Sequence, residues 1–264
     1  MQKIPESELF EFSKKIELTA TKLLEGMHFS SRPGEGVEYH SSRPYAEGDD
    51  PRQIDWKRFA STDRIFTRLS RKEKKTSWSI AIDSSQSMHY GEKLSHAQLW
   101  AGCLLFLAKT WGDSWSLGPG IERDLEDAFL WLLRLRGEPE DSLPPLEEKP
   151  ESRLVFLTDG FWDEKILVPY FQRISTQYSK VYLVQILESQ EVEFNFSQFT
   201  EFRDFESRSR MSLQPEAIRN EYLKRFTEWT HFLQSLVESP EFFFQMVVNQ
   251  DPIEKQLERK IENL

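Results

Sequence analysis

From residue 77 onward, short apolar runs alternate with longer stretches of helical spacing. Ser77 to Ile82 is an apolar run that stops abruptly at Asp83; Arg153 to Leu157 is a second, stopping at Thr158-Asp159-Gly160; Val181 to Leu187 is a third. Such runs, bounded and without polar alternation, predict strands buried on both faces. Between them the pattern predicts helices over Lys93 to Trp111, apolar almost all round at LWAGCLLFLA, over Ile121 to Leu135, and over Lys165 to Tyr178. Trp115 to Leu117 reads as a brief strand, and Gly137 to Glu151, rich in proline and carboxylates, as a solvated loop. Pro215 to Val237 predicts a long helix, Phe242 to Val248 a strand, and Pro252 to Asn263 a closing helix. Strands alternating with helices imply parallel crossovers and therefore a three-layer α/β core.

The first third of the chain is patterned differently. Leu9, Phe12, Ile16, Leu23 and Leu24 recur at helical spacing, with Ser7 as the expected N-cap and Gly26 as the expected stop. From Ser30 to Asp63, Pro33, Gly34, Gly36, Pro44, Gly48 and Pro51 predict turns and short strands, and Arg64 to Leu69 a strand. The expected organisation is an N-terminal helix and turn-rich segment over 1–75, then an α/β core with C-terminal helices over 76–264.

Composition adds boundaries. Of 264 residues, 38% are hydrophobic and 13% aromatic, enough for a substantial core. The net charge of −10 disfavours a general nucleic-acid coat. The basic run Arg68, Arg71, Lys72, Lys74 and Lys75 flanks an alternating strand and reads as lysine protection of a sheet edge. The single cysteine, Cys103, excludes an intrachain disulfide and a Cys-rich zinc site. The longest apolar run, Leu99 to Ala108, is about half of what a bilayer crossing needs, so no transmembrane segment is expected. MQKIPESELFEF lacks the basic and apolar regions of a signal peptide, and a cytoplasmic location is expected.

The candidate chemistry lies at the strand ends, where open α/β sheets bind ligands. Asp83-Ser84-Ser85-Gln86-Ser87 follows one strand and Asp159 follows another. Two readings fit such residues: oxygen ligands for a hard divalent cation, or caps of the helices that follow. The first segment resembles the metal-ion-dependent adhesion site of the von Willebrand factor A-like fold, which begins D-x-S-x-S. Asp83, Ser85 and Ser87 match it, and Asp159 matches the aspartate at the end of a later central strand. The resemblance implies a Mg²⁺ whose open position a partner's carboxylate fills, and hence protein binding rather than chemistry. It departs in two respects. Only Thr110 lies between Ser87 and Arg153 to serve as the usual threonine ligand, and it falls inside the apolar helix. The stretch from Leu117 to Arg153 is short for the usual further strand and helix, so the fold is expected to be reduced in its middle.

A second, more specific motif is Gly48-Asp49-Asp50-Pro51-Arg52-Gln53-Ile54-Asp55-Trp56-Lys57, preceded by Gly34-Glu35-Gly36-Val37-Glu38-Tyr39 and Arg43-Pro44-Tyr45. With Asp204-Phe205-Glu206-Ser207 downstream, this resembles the family known as domain of unknown function 58. Gly48 and Pro51 predict a rigid corner. Arg43, Arg52, Lys57 and Arg58 can pair with Asp49, Asp50 and Asp55, while Tyr45 and Trp56 supply anchoring area. Two roles remain open for this signature: an ion-pair network that pins the segment to the core, or a partner-docking surface. The family resemblance implies association with a MoxR-type AAA+ ATPase and a protein client.

Enzymatic readings find little support. The D-x-D of a haloacid-dehalogenase phosphatase is broken by Ser85, and no P-loop, H-E-x-x-H or G-x-S-x-G motif occurs. His89 and His96 read as surface histidines beside a helix cap. The expectation is a non-enzymatic adaptor. The alternatives are a metal-dependent hydrolase of small phosphorylated substrates using Asp83 and Asp159, and a purely structural subunit.

Overall fold

The computed structural model describes residues 4–30, 42–46, 51, 54–62, 64–68, 75–118, 124–135, 142–145, 148–196, 200–203, 210–213, 215–236 and 239–261. Two compact units partition the chain: one formed by residues up to Leu24 together with Thr76 onward, the other by Glu25–Lys75.

In the larger unit, helix α1 (Glu6–Ser30, whose last residues pass into the smaller unit) starts one residue before the expected cap and runs through Gly26. Its apolar stripe, Phe12, Ile16, Ala20 and Leu23, is buried. The early part of this helix therefore belongs with the sheet-bearing unit: Phe12 packs edge-on against Phe129, and Lys22 lies 3.9 Å from Glu254.

The smaller unit holds strands β1 (Ser42–Pro44) and β2 (Phe66–Arg68), paired antiparallel, with helix α2 (Trp56–Thr62) between them in sequence.

The larger unit continues with β3 (Ser77–Ile82), α3 (Lys93–Trp111), β4 (Ser114–Leu117), α4 (Leu125–Arg134), β5 (Lys149–Thr158), α5 (Glu164–Gln177) and β6 (Tyr178–Leu187). The short helix α6 (Ser189–Glu193), the hairpin β7 (Thr200–Arg203) and β8 (Arg210–Leu213), the long α7 (Pro215–Ser235), β9 (Phe242–Val248) and α8 (Ile253–Ile261) complete it. Five strands form one sheet in the order β4-β3-β5-β6-β9, every pairing parallel. The predicted mainly parallel α/β sheet is thus observed, with α4 the helix between β4 and β5.

Alternation along the strands divides the core into two layers. Ala81, Phe156 and Leu183 stand in register and join Leu167, Phe171 and Ile174 of α5 and Leu233 of α7 in one cluster. The intervening Ile80, Val155 and Tyr182 are buried on the opposite side of the sheet. Strand β5 begins earlier than its apolar run because Lys149 pairs with Tyr178, and Pro150 is accommodated where the register shifts between Lys149 and Arg153. Among the described residues no helix is long and apolar enough to cross a membrane.

This order positions the site. The chain leaves β3 toward β4 on one side and leaves β5 toward β6 on the other, so a crevice opens beyond the carboxyl ends of β3 and β5. Asp83 and Asp159 are the residues that follow those two ends.

Candidate functional site

Asp83 extends the ladder of β3, its N–H donating to the Leu157 carbonyl at 2.9 Å. Its side chain is fully buried. One carboxylate oxygen, Oδ1, accepts the Ser85 N–H at 2.8 Å. The other, Oδ2, accepts both the Thr158 hydroxyl at 2.6 Å and the Trp162 indole N–H at 2.7 Å. Thr158 Oγ1 in turn accepts the Gly160 N–H at 2.9 Å, so the corner after β5 is tied to the corner after β3. Burial, and after it the negative charge of Asp159, pushes the Asp83 pKa above its ordinary value, against the lowering effect of those three donors.

Asp159 is also fully buried. Its Oδ1 accepts the Phe161 N–H at 3.1 Å and its carbonyl accepts the buried Gln185 side chain at 3.0 Å. Its Oδ2 faces a cation supplied by the chain itself: Lys93 Nζ lies 2.8 Å away, and 2.7 Å from Glu191 Oε1 of α6. The Lys93 side chain is 1% exposed. The rings of Phe161 and Tyr90 flank the ammonium at 5.3 and 5.6 Å. Burial draws the Lys93 pKa down, but Asp159 and Glu191 outweigh it and leave it above the ordinary lysine value.

The structure thus brings the four expected metal ligands to one place without arranging them around an open point. Ser85 and Ser87 are linked to each other, hydroxyl to hydroxyl, at 3.1 Å. Thr110 donates to the Phe106 carbonyl within α3, one turn back, and is exposed. Magnesium requires an octahedron of oxygens. Here both Asp83 oxygens already accept N–H or O–H donors, and an ammonium stands against Asp159. As placed, these residues do not fit a divalent cation. Nor do they cap α-helices: α5 is capped by Asp163, which accepts the Lys165 N–H, and the N-cap of α3 is Glu92, with no side-chain cap bond.

His96 corrects the surface-histidine expectation. It is buried in α3, with Nε2 2.9 Å from Gln256 Oε1 of α8, while His89 is half-buried with no partner for Nε2. A helix packed on nearly every side leaves no solvated face for a side chain one turn into it. Sequence reasoning also passed over Lys93, Thr158, Trp162 and Glu191. Lys93 alone gave a signal, as a cation opening a helix apolar all round, where a buried charge needs a partner.

In the signature unit, Asp55 caps α2, its Oδ1 accepting the Arg58 N–H at 3.1 Å, and its own N–H donates to the Phe66 carbonyl at 2.8 Å. Tyr45 N–H donates to the Ile65 carbonyl at 3.0 Å, extending the β1–β2 ladder, in which Arg43 pairs with Thr67. The Arg58 guanidinium stacks 4.2 Å from the Phe66 ring. Trp56 is 61% exposed, touching Phe59 edge-on. Gly34 to Tyr39, Gly48, Asp49, Asp50, Arg52 and Asp204 to Ser207 lie outside the described residues, as does the side chain of Arg43.

Comparison with known proteins agrees with the motif. Residues 41–118 match the family model described as protein of unknown function DUF58. Uncharacterized proteins of Mycobacterium bovis and Mycobacterium tuberculosis are 31% identical over 102 residues, covering 36% of this chain and 32% of theirs. The chain spans about a third of the length of these curated relatives. Among solved structures, the conserved hypothetical protein BatB from Bacteroides thetaiotaomicron aligns with a TM-score of 0.40 at 12% identity, covering 71% of this chain and 98% of that one. An aerotolerance-related membrane protein from Bacteroides fragilis, carrying multiple mutations to serine, aligns with a TM-score of 0.41 at 14% identity, covering 72% and 100%.

Proposed function

We propose that this chain, which carries the DUF58 family region over residues 41–118, is a non-catalytic adaptor that engages a protein partner through its signature unit. The observation that carries the reading is Trp56, a signature residue left 61% exposed, where Trp78, Trp100 and Trp115 are buried. Exposed tryptophan beside arginine is the usual composition of an interface anchor. The charge of the sequence points the same way: residues 56–75 hold eight Lys and Arg against two Asp and Glu, in a chain of net charge −10. Such a segment favours an acidic face on the partner. The partner implied by the family resemblance is a MoxR-type AAA+ ATPase, with a client protein held in turn.

The hydrolytic alternative has less support. A carboxylate nucleophile must present an oxygen to substrate, and Asp83 is fully buried with both oxygens accepting hydrogen bonds.

Co-elution and calorimetry with a purified MoxR-type ATPase test the proposal. Trp56→Ala is expected to weaken binding at least tenfold, in the range of about 2 kcal/mol for an anchor residue, with the thermal midpoint unchanged. Raising salt should weaken binding further. Affinity indifferent to Trp56→Ala and to salt would remove the signature surface as the docking site.

A further inference from the structure

We infer that the Lys93 ammonium is the resident cation of the strand-end site: a tethered positive charge that pairs with Asp159 and Glu191, in the role the resembling adhesion-type site gives to a divalent metal.

Asp83 and Asp159 follow adjacent parallel strands and are both fully buried. Carboxylates removed from water in this way require compensation, by hydrogen bonds and by a cation. Asp83 receives hydrogen bonds: three donors on two oxygens. Asp159 receives the cation, because Lys93, the first residue of α3, brings its Nζ within 2.8 Å of Asp159 Oδ2. The ammonium has three donors and no acceptor, and two of those donors point at Asp159 and Glu191 at 2.8 and 2.7 Å.

Glu191 explains why the lysine is held rather than merely present. It sits in α6 immediately after β6, so one ammonium joins the ends of three elements, α3, β5 and α6. The same carboxylate accepts the Glu188 N–H at 2.8 Å through its other oxygen, fixing its rotamer. Two carboxylate oxygens from different elements therefore converge on one point, and that point is a nitrogen of the chain. A second cation at the same place would meet the ammonium at close range, in a setting of low dielectric.

The consequence is functional. A metal-bridged site needs an open coordination position that a partner's carboxylate can enter. A site whose converging oxygens are held by the chain's own ammonium offers none, so recognition by metal bridging is not available to this face, whichever partner the signature unit binds. This inference stands apart from the adaptor reading: failure to bind an ATPase would leave it untouched.

The experiment titrates Mn²⁺ and Mg²⁺ into the purified full chain, following free Mn²⁺ by electron paramagnetic resonance and the thermal midpoint in parallel. The wild-type chain should show no saturable binding and no metal-dependent rise in midpoint at millimolar metal. Lys93→Met frees the oxygens of Asp159 and Glu191; it should lower the midpoint and create a response to Mn²⁺, raising the midpoint by several degrees. Adding Asp159→Asn to that variant should abolish the response. Saturable Mn²⁺ binding by the wild-type chain, lost in Asp83→Asn, overturns the inference. So does a folded Lys93→Met variant that ignores metal. Where Lys93→Met does not fold, the wild-type titration decides, together with Lys93→Arg, which keeps the cation and should remain indifferent to metal; metal binding by that variant overturns the inference as well.

Discussion

Two glycines with nearly the same positive φ separate what that backbone angle contributes from what close packing contributes. Gly112, which ends α3, has φ +73°, and a Cβ built there would meet nothing within 4 Å. Gly160, in the corner after Asp159, has φ +76°, and its Cβ would fall 2.7 Å from Leu233 Cδ1. Substituting alanine at either position imposes the left-handed conformation on an L-residue, about 1 kcal/mol. At Gly160 a second cost is added. Leu233 is 1% exposed and packed in the cluster with Phe156 and Phe171, so its methyl group has little room to withdraw. Overpacking of that kind costs about 1–3 kcal/mol. Any shift of the corner also disturbs the Gly160 N–H bond to Thr158 and the Trp229 indole bond to the Gly160 carbonyl at 3.1 Å. Gly112→Ala should therefore destabilise by about 1 kcal/mol and Gly160→Ala by about 2–4 kcal/mol. Urea titration followed by far-ultraviolet circular dichroism measures both, with thermal midpoints as a second readout. Equal losses in the two variants, within about 0.5 kcal/mol, would refute the packing argument and leave only the backbone term.

Three further outcomes are expected. Thr158→Val keeps the volume but removes the donor to buried Asp83 and the acceptor of the Gly160 N–H; the loss should be about 2–3 kcal/mol, read in the same urea titration. Burial holds the His96 pKa below 6.5, so the folded state binds fewer protons there than the unfolded state. Its contribution is complete above pH 6.5 and lost as the pH falls below it, and His89 acts with the same sign. Asp83 and Glu191, raised by burial, act with the opposite sign in both chains, so the test is the difference: from pH 7 to pH 5 the urea midpoint of His96→Gln should rise relative to that of the wild type, and an unchanged difference would contradict the burial argument. Cys103 is buried and its thiol is pushed up to about 12, so the native protein should resist a thiol reagent at pH 8 and react fully in denaturant. Rapid labelling of the native chain would show that the α3 core opens readily.

Much of the fold was legible because its strongest signals are local. The bounds of β3, α3 and β9 agree with the runs at Ser77–Ile82, Lys93–Trp111 and Phe242–Val248, since each is a mainly apolar run bounded by polar or turn residues. The positions of Asp83 and Asp159 were legible for the same reason: an apolar run that stops at a carboxylate marks a strand end. Helix α1 runs past Gly26, because a glycine signals a stop only where the next turn lacks other support. Strand β5 extends back through Pro150, which in sequence suggests a loop, and its place at a register shift is set by the neighbouring strand.

By itself, then, the sequence determined the α/β class, the signature segment and the two strand ends at which buried carboxylates stand. Only the tertiary structure decided what those carboxylates do. Lys93 is 66 residues from Asp159 and 98 from Glu191, and no periodicity links positions so far apart. Their meeting depends on sheet order, which places β5 beside β3 and α6 after the next strand, and sheet order is fixed by the burial of whole faces rather than by any local pattern. A D-x-S-x-S motif and a carboxylate at the next strand end specify a set of oxygens; whether a metal or the chain's own donors face them is a property of the packed chain.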